Sequence, residues 1–228
     1  MRAAAVAGEH DAQEVLRAVS EQPAMAGAAL VAGVSTPEPF TFAAEGAVRV
    51  AVVDFGCKRS ILRRLEASGA AVDVFPHDVD ADTIAGYDGV LLSPGPGDPE
   101  PLVDETRMLH DRLGRTPVLG VCLGHQLLAL ATGKETFKLP FGHRGANHPV
   151  VDHRTRKVLV TSQNHGFAVA PGDESGLTHS SLYDGTVEGL DYPELRARSA
   201  QFHPEASPGP HDAASIIGSF VEELKHAA

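Results

Sequence analysis

Long apolar runs are missing from this chain of 228 residues. None approaches the ~18 residues that a membrane-spanning helix needs, so no membrane association is expected. Basic side chains are scarce too: 19 Lys and Arg stand against 30 Asp and Glu, a formal charge of −11. Phosphate backbones are repelled by such a balance, and no nucleic-acid partner is expected. Cysteine occurs twice, at Cys57 and Cys122, which allows one bridge at most and excludes a disulfide-built scaffold. The opening residues break into charge too early for a signal-peptide core. The expected location is therefore a reducing cytoplasm, where each thiol is either buried or reactive. What remains is ordinary globular material, 43% hydrophobic and 21% charged, with 23 Gly and 16 Pro to make turns.

The chain reads in two parts. Residues 1–47 carry one helix-like stretch, 11–21, and a proline-interrupted segment through Pro37 and Pro39. They read as an appendage and linker with no core of their own. From Val48 a strand–turn–helix pattern repeats. The β-branched run 48–54 (VRVAVVD) predicts a strand buried on both faces. Helices are expected at 58–68 and 103–113, and further strands at 70–75, 89–93 and 117–121. Alternation of this kind predicts an α/β fold with a doubly wound, mostly parallel sheet. After Gly133 the style becomes β-rich, with short runs at 150–152, 157–161, 186–190 and 198–202 before a closing helix at 213–225.

The strongest chemical signal is Gly120-Val121-Cys122-Leu123-Gly124-His125-Gln126, set between a strand and an apolar helix. Small residues two before and two after a nucleophile permit the sharp turn that holds it out at the carboxyl edge of a sheet. The helix N-terminus behind it favours the thiolate. Such a nucleophile needs a base and a group to orient that base. Gln201-Phe202-His203-Pro204-Glu205 offers both, with Glu205 placed to hold the second imidazole nitrogen of His203. A third element, Ser93-Pro94-Gly95-Pro96-Gly97-Asp98, ends a strand and can present backbone N–H groups to an oxyanion. A fourth is Gln163-Asn164-His165-Gly166-Phe167. His143, His148 and His153 fall in a Gly/Pro/Arg-rich stretch without acidic or cysteine companions, so no metal site is expected there.

Together these segments resemble the class I (Cys-His-Glu) glutamine amidotransferases, with a flavodoxin-like sheet. Within them the likeness is to small subunits of glutamine-hydrolysing carbamoyl-phosphate synthases. It rests on GVCLGHQLLALATG (120–133), FKLPFGHRGANHPV (137–150), TSQNHGFAV (161–169), SLYDGTVEGL (181–190) and QFHPEASPGPHDA (201–213). More faintly, residues 1–45 resemble the tail of that family's N-terminal domain and its linker; residues 48–228 are then the amidotransferase domain. The resemblance implies Cys122 as nucleophile, with His203 and Glu205 completing a triad. It implies oxyanion donors at Leu123 and Gly95, and a glutamine pocket lined by Gly95, Gly97, Leu123, Gln126, Asn164, Gly166 and Phe167. It further implies hydrolysis of L-glutamine through a cysteine thioester, with ammonia passed to a synthetase large subunit that uses ATP, Mg and bicarbonate. No cofactor is implied for this chain. The product, carbamoyl phosphate, would serve arginine or pyrimidine biosynthesis. Two positions depart from the family pattern: Ser60 stands where Asn is usual, and Pro94 occupies an oxyanion-loop place usually held by Asn or Gly. Three other readings stay open. They are an amidotransferase for a different ammonia acceptor, as in anthranilate or GMP synthesis, a non-catalytic interaction remnant, and a thiol sensor using Cys57 and Cys122.

Overall fold

The computed structural model describes residues 3–172 and 174–227. Strand β1 spans Phe40–Ala43, β2 Val48–Asp54, β3 Ala70–Pro76, β4 Gly89–Leu92 and β5 Val118–Val121. Strands β6 (Thr136–Asp152), β7 (Lys157–Val169), β8 (Leu177–Ser181), β9 (Val187–Tyr192) and β10 (Ala197–Ala200) follow. The α-helices are α1 (Ala12–Glu21), α2 (Arg59–Ala67), α3 (Val103–Arg112), α4 (Leu123–Ala131) and α5 (Ser215–Ala227). All ten strands form one sheet in the order β1-β3-β2-β4-β5-β10-β9-β7-β6-β8.

The half of the sheet from β3 to β10 is parallel. Its strands are apolar on both faces because helices cover both. Ile61, Leu62 and Leu65 of α2 and Ile217, Phe220, Val221 and Leu224 of α5 pack against Val50, Val52, Leu91 and Leu119 on one side. Met108 and Leu109 of α3 and Leu123, Leu127 and Leu128 of α4 meet Ala51, Val53, Val90 and Val118 on the other. Beyond β10 the sheet turns antiparallel: β9 pairs with β10, Ala200 opposite Gly189, and joins the β6–β7 hairpin to the parallel half. Asp152 shapes the hairpin turn, accepting from the Arg154 N–H at 2.9 Å and from the Thr155 hydroxyl at 2.9 Å.

Several expectations change. The runs at 150–152 and 157–161 are the ends of the much longer β6 and β7. The register of that pair shifts between Lys138 and His143 and again between Gly145 and His148. Irregularities there break the two-residue alternation that marks a strand in sequence. Strands β1 and β8 were not foreseen, since FTFA lies close behind Pro39 and LTHSS is largely polar. The N-terminal segment is more than a linker. Strand β1 adds antiparallel to β3, and Val31 and Ala43 are buried within the two cores. Helix α1 buries nothing, its N-terminus held by the Asp11 carboxylate accepting from the Gln13 N–H at 2.8 Å.

Candidate active site

Cys122 sits between β5 and α4 with φ 55° and ψ −100°, a left-sided conformation that costs a non-glycine residue strain. The surroundings over-determine it. Its N–H donates to Ala200 O of β10 at 2.9 Å, and its carbonyl accepts from the His125 and Gln126 N–H groups at 3.1 and 3.2 Å. The flanking glycines are needed for space. A Cβ on Gly120 would lie 2.6 Å from the Gly124 carbonyl carbon, and one on Gly124 would lie 2.6 Å from Leu92 Cβ and closer still to Leu92 O. Gly124→Ala therefore forces β4 away from α4. We expect a loss of roughly 2 kcal/mol, a fall in thermal midpoint of about 4–8 °C for a domain of this size, and impaired presentation of Cys122. Thermal unfolding by circular dichroism measures the first effect; an unchanged midpoint would show that the close approach is not required.

The register of β10 on β5, Ala200 beside Val121, carries the chain after β10 to the same edge as Cys122. His203 follows, its N–H anchored on Ser162 O at 2.9 Å. Nδ1 of His203 is 2.7 Å from Glu205 Oε1. This leaves Nε2, buried and without another partner, as the nitrogen available to Cys122. Burial alone would lower the His203 pKa, but the Cys122 sulfur charge and the Glu205 carboxylate raise it to about 10. The surroundings of His203 thus favour its imidazolium form. Glu205 is fully buried, and burial works against its charge. The hydrogen bond and charge of His203, with Lys58 Nζ at 3.2 Å, nevertheless hold its pKa below the usual carboxylate range. Cys57 differs: burial pushes its thiol far up, and the charges of Asp54 and Glu205 add to the effect, so it stays protonated. The thiol-sensor reading loses its second thiolate.

A cavity of about 1010 Å³ opens over Cys122. Gly95, Gly97, Gln126, Asn164, Gly166, Phe167 and His203 line it together with Cys122. Leu123 and Glu205 do not. Leu123 is buried at the first turn of α4, with its Cδ2 packed where a Cβ on Gly95 would go, and Glu205 lies behind His203. Gln126 is tied down, donating to Phe167 O at 2.8 Å and to Gln201 Oε1 at 3.0 Å, so it also clamps β7 to α4.

The sequence reading misses the lining residues Met25, Ala26 and Lys58, while Phe141, Arg144 and His165 also line the cavity. Lys58 was legible only as a residue after Cys57, and its pairing with Glu205 spans the fold. The segment near Met25 pins the oxyanion-type loop. The Asp98 carboxylate accepts from the Gly27 N–H at 2.7 Å, the Asp98 N–H donates to Ala28 O at 2.9 Å, and Ala29 bridges to Gly97. His125, three residues after Cys122, does not line the cavity. It is wholly buried, its Nδ1 lies 2.8 Å from the Ser199 hydroxyl, and burial lowers its pKa to about 3.

The expectation that His143 lacks acidic neighbours is corrected. Asp184 and Glu188, which follow in sequence only after β8, lie against it, with Asp184 Oδ2 2.9 Å from Nε2 and Glu188 Oε1 3.3 Å from Nδ1. Sequence neighbours could not reveal this, because the contact depends on β9 entering the sheet next to β7.

Residues 51–223 match the family model for glutamine amidotransferase class-I. A carbamoyl phosphate synthase small chain of Bacillus caldolyticus is 48% identical over 183 residues, 78% of this chain and 50% of that protein. One from Clostridium perfringens is 46% identical over 215 residues, 93% of this chain and 60% of that protein. This chain thus spans about half the length of the curated relatives it matches. Among solved structures, a putative GMP synthase subunit from Thermoplasma acidophilum superposes with TM-score 0.67 at 22% identity, covering 79% of this chain and 96% of that one. A glutamine amidotransferase from Thermotoga maritima gives TM-score 0.59 at 18% identity, covering 79% and 85%. At those identities the likeness is one of fold.

Proposed function

We propose, from the premise that this chain belongs to the class-I glutamine amidotransferase family, that it hydrolyses L-glutamine and supplies ammonia to a carbamoyl-phosphate synthase large subunit. The observation that carries the reading is the strained Cys122 at the strand–helix turn, electrostatically coupled to a His203 whose other nitrogen is held by buried Glu205. In this reading the Cys122 thiolate attacks the side-chain amide carbonyl of glutamine. His203 gives its proton to the departing ammonia, and later takes one from the water that opens the γ-glutamyl thioester. The backbone N–H groups of Gly95 and Leu123 stabilise the oxyanion. Gly97, Gln126, Asn164, Gly166 and Phe167 shape the glutamine pocket. ATP and Mg belong to the partner, and this chain's residues need no cofactor for the hydrolysis itself.

The parallel strands, numbered in chain order from β2, run 2-1-3-4-5 from β3 to β10, which supports a flavodoxin-like reading of the sheet. On that reading the loops after β2 and β4, at the switch point, are where ligand is expected. We read residues 48–228 as the amidotransferase domain and residues 1–47 as the end of a preceding domain with its linker, a linker that adds β1 to the edge of the sheet. The exposed α1 and the start of the family match at residue 51 support that division. A reducing cytoplasm suits the free thiols of Cys57 and Cys122, and no helix among the described residues is long and apolar enough to cross a membrane. The net charge of −11 supports a small-molecule and protein clientele over nucleic acid. The acidic product of the coupled reaction, carbamoyl phosphate, fits arginine or pyrimidine synthesis.

The test is the glutaminase rate at saturating glutamine with and without the large subunit. The cavity mouth carries Phe141, 85% exposed, and Arg144, whose guanidinium donates to Phe141 O at 2.5 Å. An exposed aromatic beside a fixed cation suits a docking rim. Turnover is expected to be low alone and to rise several-fold or more on docking, and Phe141→Ala is expected to blunt the rise. A rate that is maximal alone and unmoved by the partner would favour a free-standing glutaminase.

A further inference from the structure

Beside the cavity over Cys122, whose wall His165 shares, lies a polar cluster to which the proposed hydrolysis assigns no step. His143 of β6 and His165 of β7 face each other in register, ring centroids 4.8 Å apart. Glu188 of β9, wholly buried, reaches in from the next strand.

Each group is already anchored through its other atom. Nδ1 of His165 lies 2.7 Å from Phe167 O, and a carbonyl accepts only an N–H, so that nitrogen is protonated. In the neutral ring Nε2 is then a bare lone pair, buried and without a partner, on a side chain 2% exposed. Nε2 of His143 lies 2.9 Å from Asp184 Oδ2, which turns Nδ1 toward Glu188. Oε2 of Glu188 accepts from the Gln163 amide at 2.7 Å, and Oε1, which also accepts from the Thr186 hydroxyl at 3.5 Å, faces both rings. The three remaining atoms, His143 Nδ1, His165 Nε2 and Glu188 Oε1, lie within 4.8 Å of one another. The His165 lone pair stands 3.9 Å from the carboxylate oxygen, two electron-rich atoms with nothing positive between them. A proton on His143 satisfies Glu188 and Asp184 but leaves His165 bare. A cation between the three satisfies all of them.

We propose that His143, His165 and Glu188 form a binding site for a divalent transition metal, with zinc the best fit. Two imidazoles and one carboxylate are an established donor set for zinc. The Asp184, Phe167 and Gln163 contacts are the outer hydrogen bonds that orient such ligands. Tetrahedral zinc with bonds of ~2.0–2.1 Å places its ligands about 3.4 Å apart, so small side-chain rotations close the present separations. Two more buried atoms lack partners in the same region: His148 Nδ1, whose ring centroid is 5.3 Å from that of His143, and Gln163 Oε1. Both suit hydrogen bonds to a water in the fourth position. The ion would tie β6, β7 and β9 together at the cavity wall that His165 lines, a role that does not depend on the glutaminase reading.

The experiment uses the full chain, stripped with chelator and titrated with Co²⁺ and then Zn²⁺. One equivalent of Co²⁺ is expected, with the visible d–d bands of a low-coordinate site and no thiolate-to-cobalt charge-transfer band. Zinc should displace it and raise the thermal midpoint. The Cys122→Ala protein should behave identically, which separates this site from metal captured by the Cys122–His203 pair. Asp184→Asn, on a partly exposed side chain, is expected to weaken zinc 10–100-fold, and Glu188→Gln to weaken it more. No saturable binding by the wild-type chain, a thiolate signature lost in Cys122→Ala, or undiminished affinity in folded Glu188→Gln would each overturn the proposal.

Discussion

Cys122→Ser is expected to abolish glutamine hydrolysis, by a factor of 10³ or more. The exchange keeps the elbow, since serine fits wherever the cysteine does. What it removes is the sulfur nucleophile. The raised pKa of His203 depends first among its favourable causes on the charge of Cys122. A serine hydroxyl does not ionise under the same field, so both nucleophile and proton donor are lost together. A glutamine-analogue electrophile should label Cys122 alone, because burial holds Cys57 as the neutral thiol. Peptide mapping after labelling, with the glutaminase rate of Cys122→Ser, checks both statements. Equal labelling at Cys57, or retained turnover in the variant, would sink the assignment.

His203 and Glu205 should behave as one unit with Cys122. His203→Ala is expected to cost at least 10²-fold in kcat, the usual range for a positioned acid–base. Adding it to Cys122→Ala should cost almost nothing more, because a triad member has no task once its partner is gone. Additive losses would contradict the triad.

The pH profile gives a second reading of the same pair. The folded His203 pKa, about 10, lies above the ~6.5 of a free imidazole. Its stabilising contribution is therefore complete below ~6.5 and disappears as pH rises through about 10. The proton needed by departing ammonia is lost over the same alkaline range, so kcat/KM for glutamine should fall there. Glu205→Gln removes one of the two negative charges that hold the imidazolium, and should move that alkaline limb to lower pH. Glu205 itself shows the opposite sign. Its lowered pKa makes its contribution present above the ordinary carboxylate value and lost as pH falls through the folded one. An alkaline limb unmoved in Glu205→Gln would mean that the carboxylate only packs against the ring.

Local pattern was enough for much of this protein. The β-branched run at Val48–Asp54 and the glycine frame around Cys122 each encode a backbone state in a few adjacent residues, by steric rules that act over one turn. The closing pair His203 and Glu205 is readable for the same reason, two residues apart and joined by one hydrogen bond. Tertiary structure alone decided what adjacency cannot encode. The lysine that pairs with Glu205 comes from the start of α2, and the segment that pins Asp98 comes from residues 27–29. The acidic partners of His143 arrive from beyond β8 because β9 enters the sheet between β10 and β7. Strands β6 and β7 hid behind their own register shifts, since a displaced residue breaks the alternation by which a strand is recognised, while the hydrogen-bonded ladder tolerates it. Sequence determined the glycine frame that presents Cys122; the order of strands in the sheet determined which charges surround it.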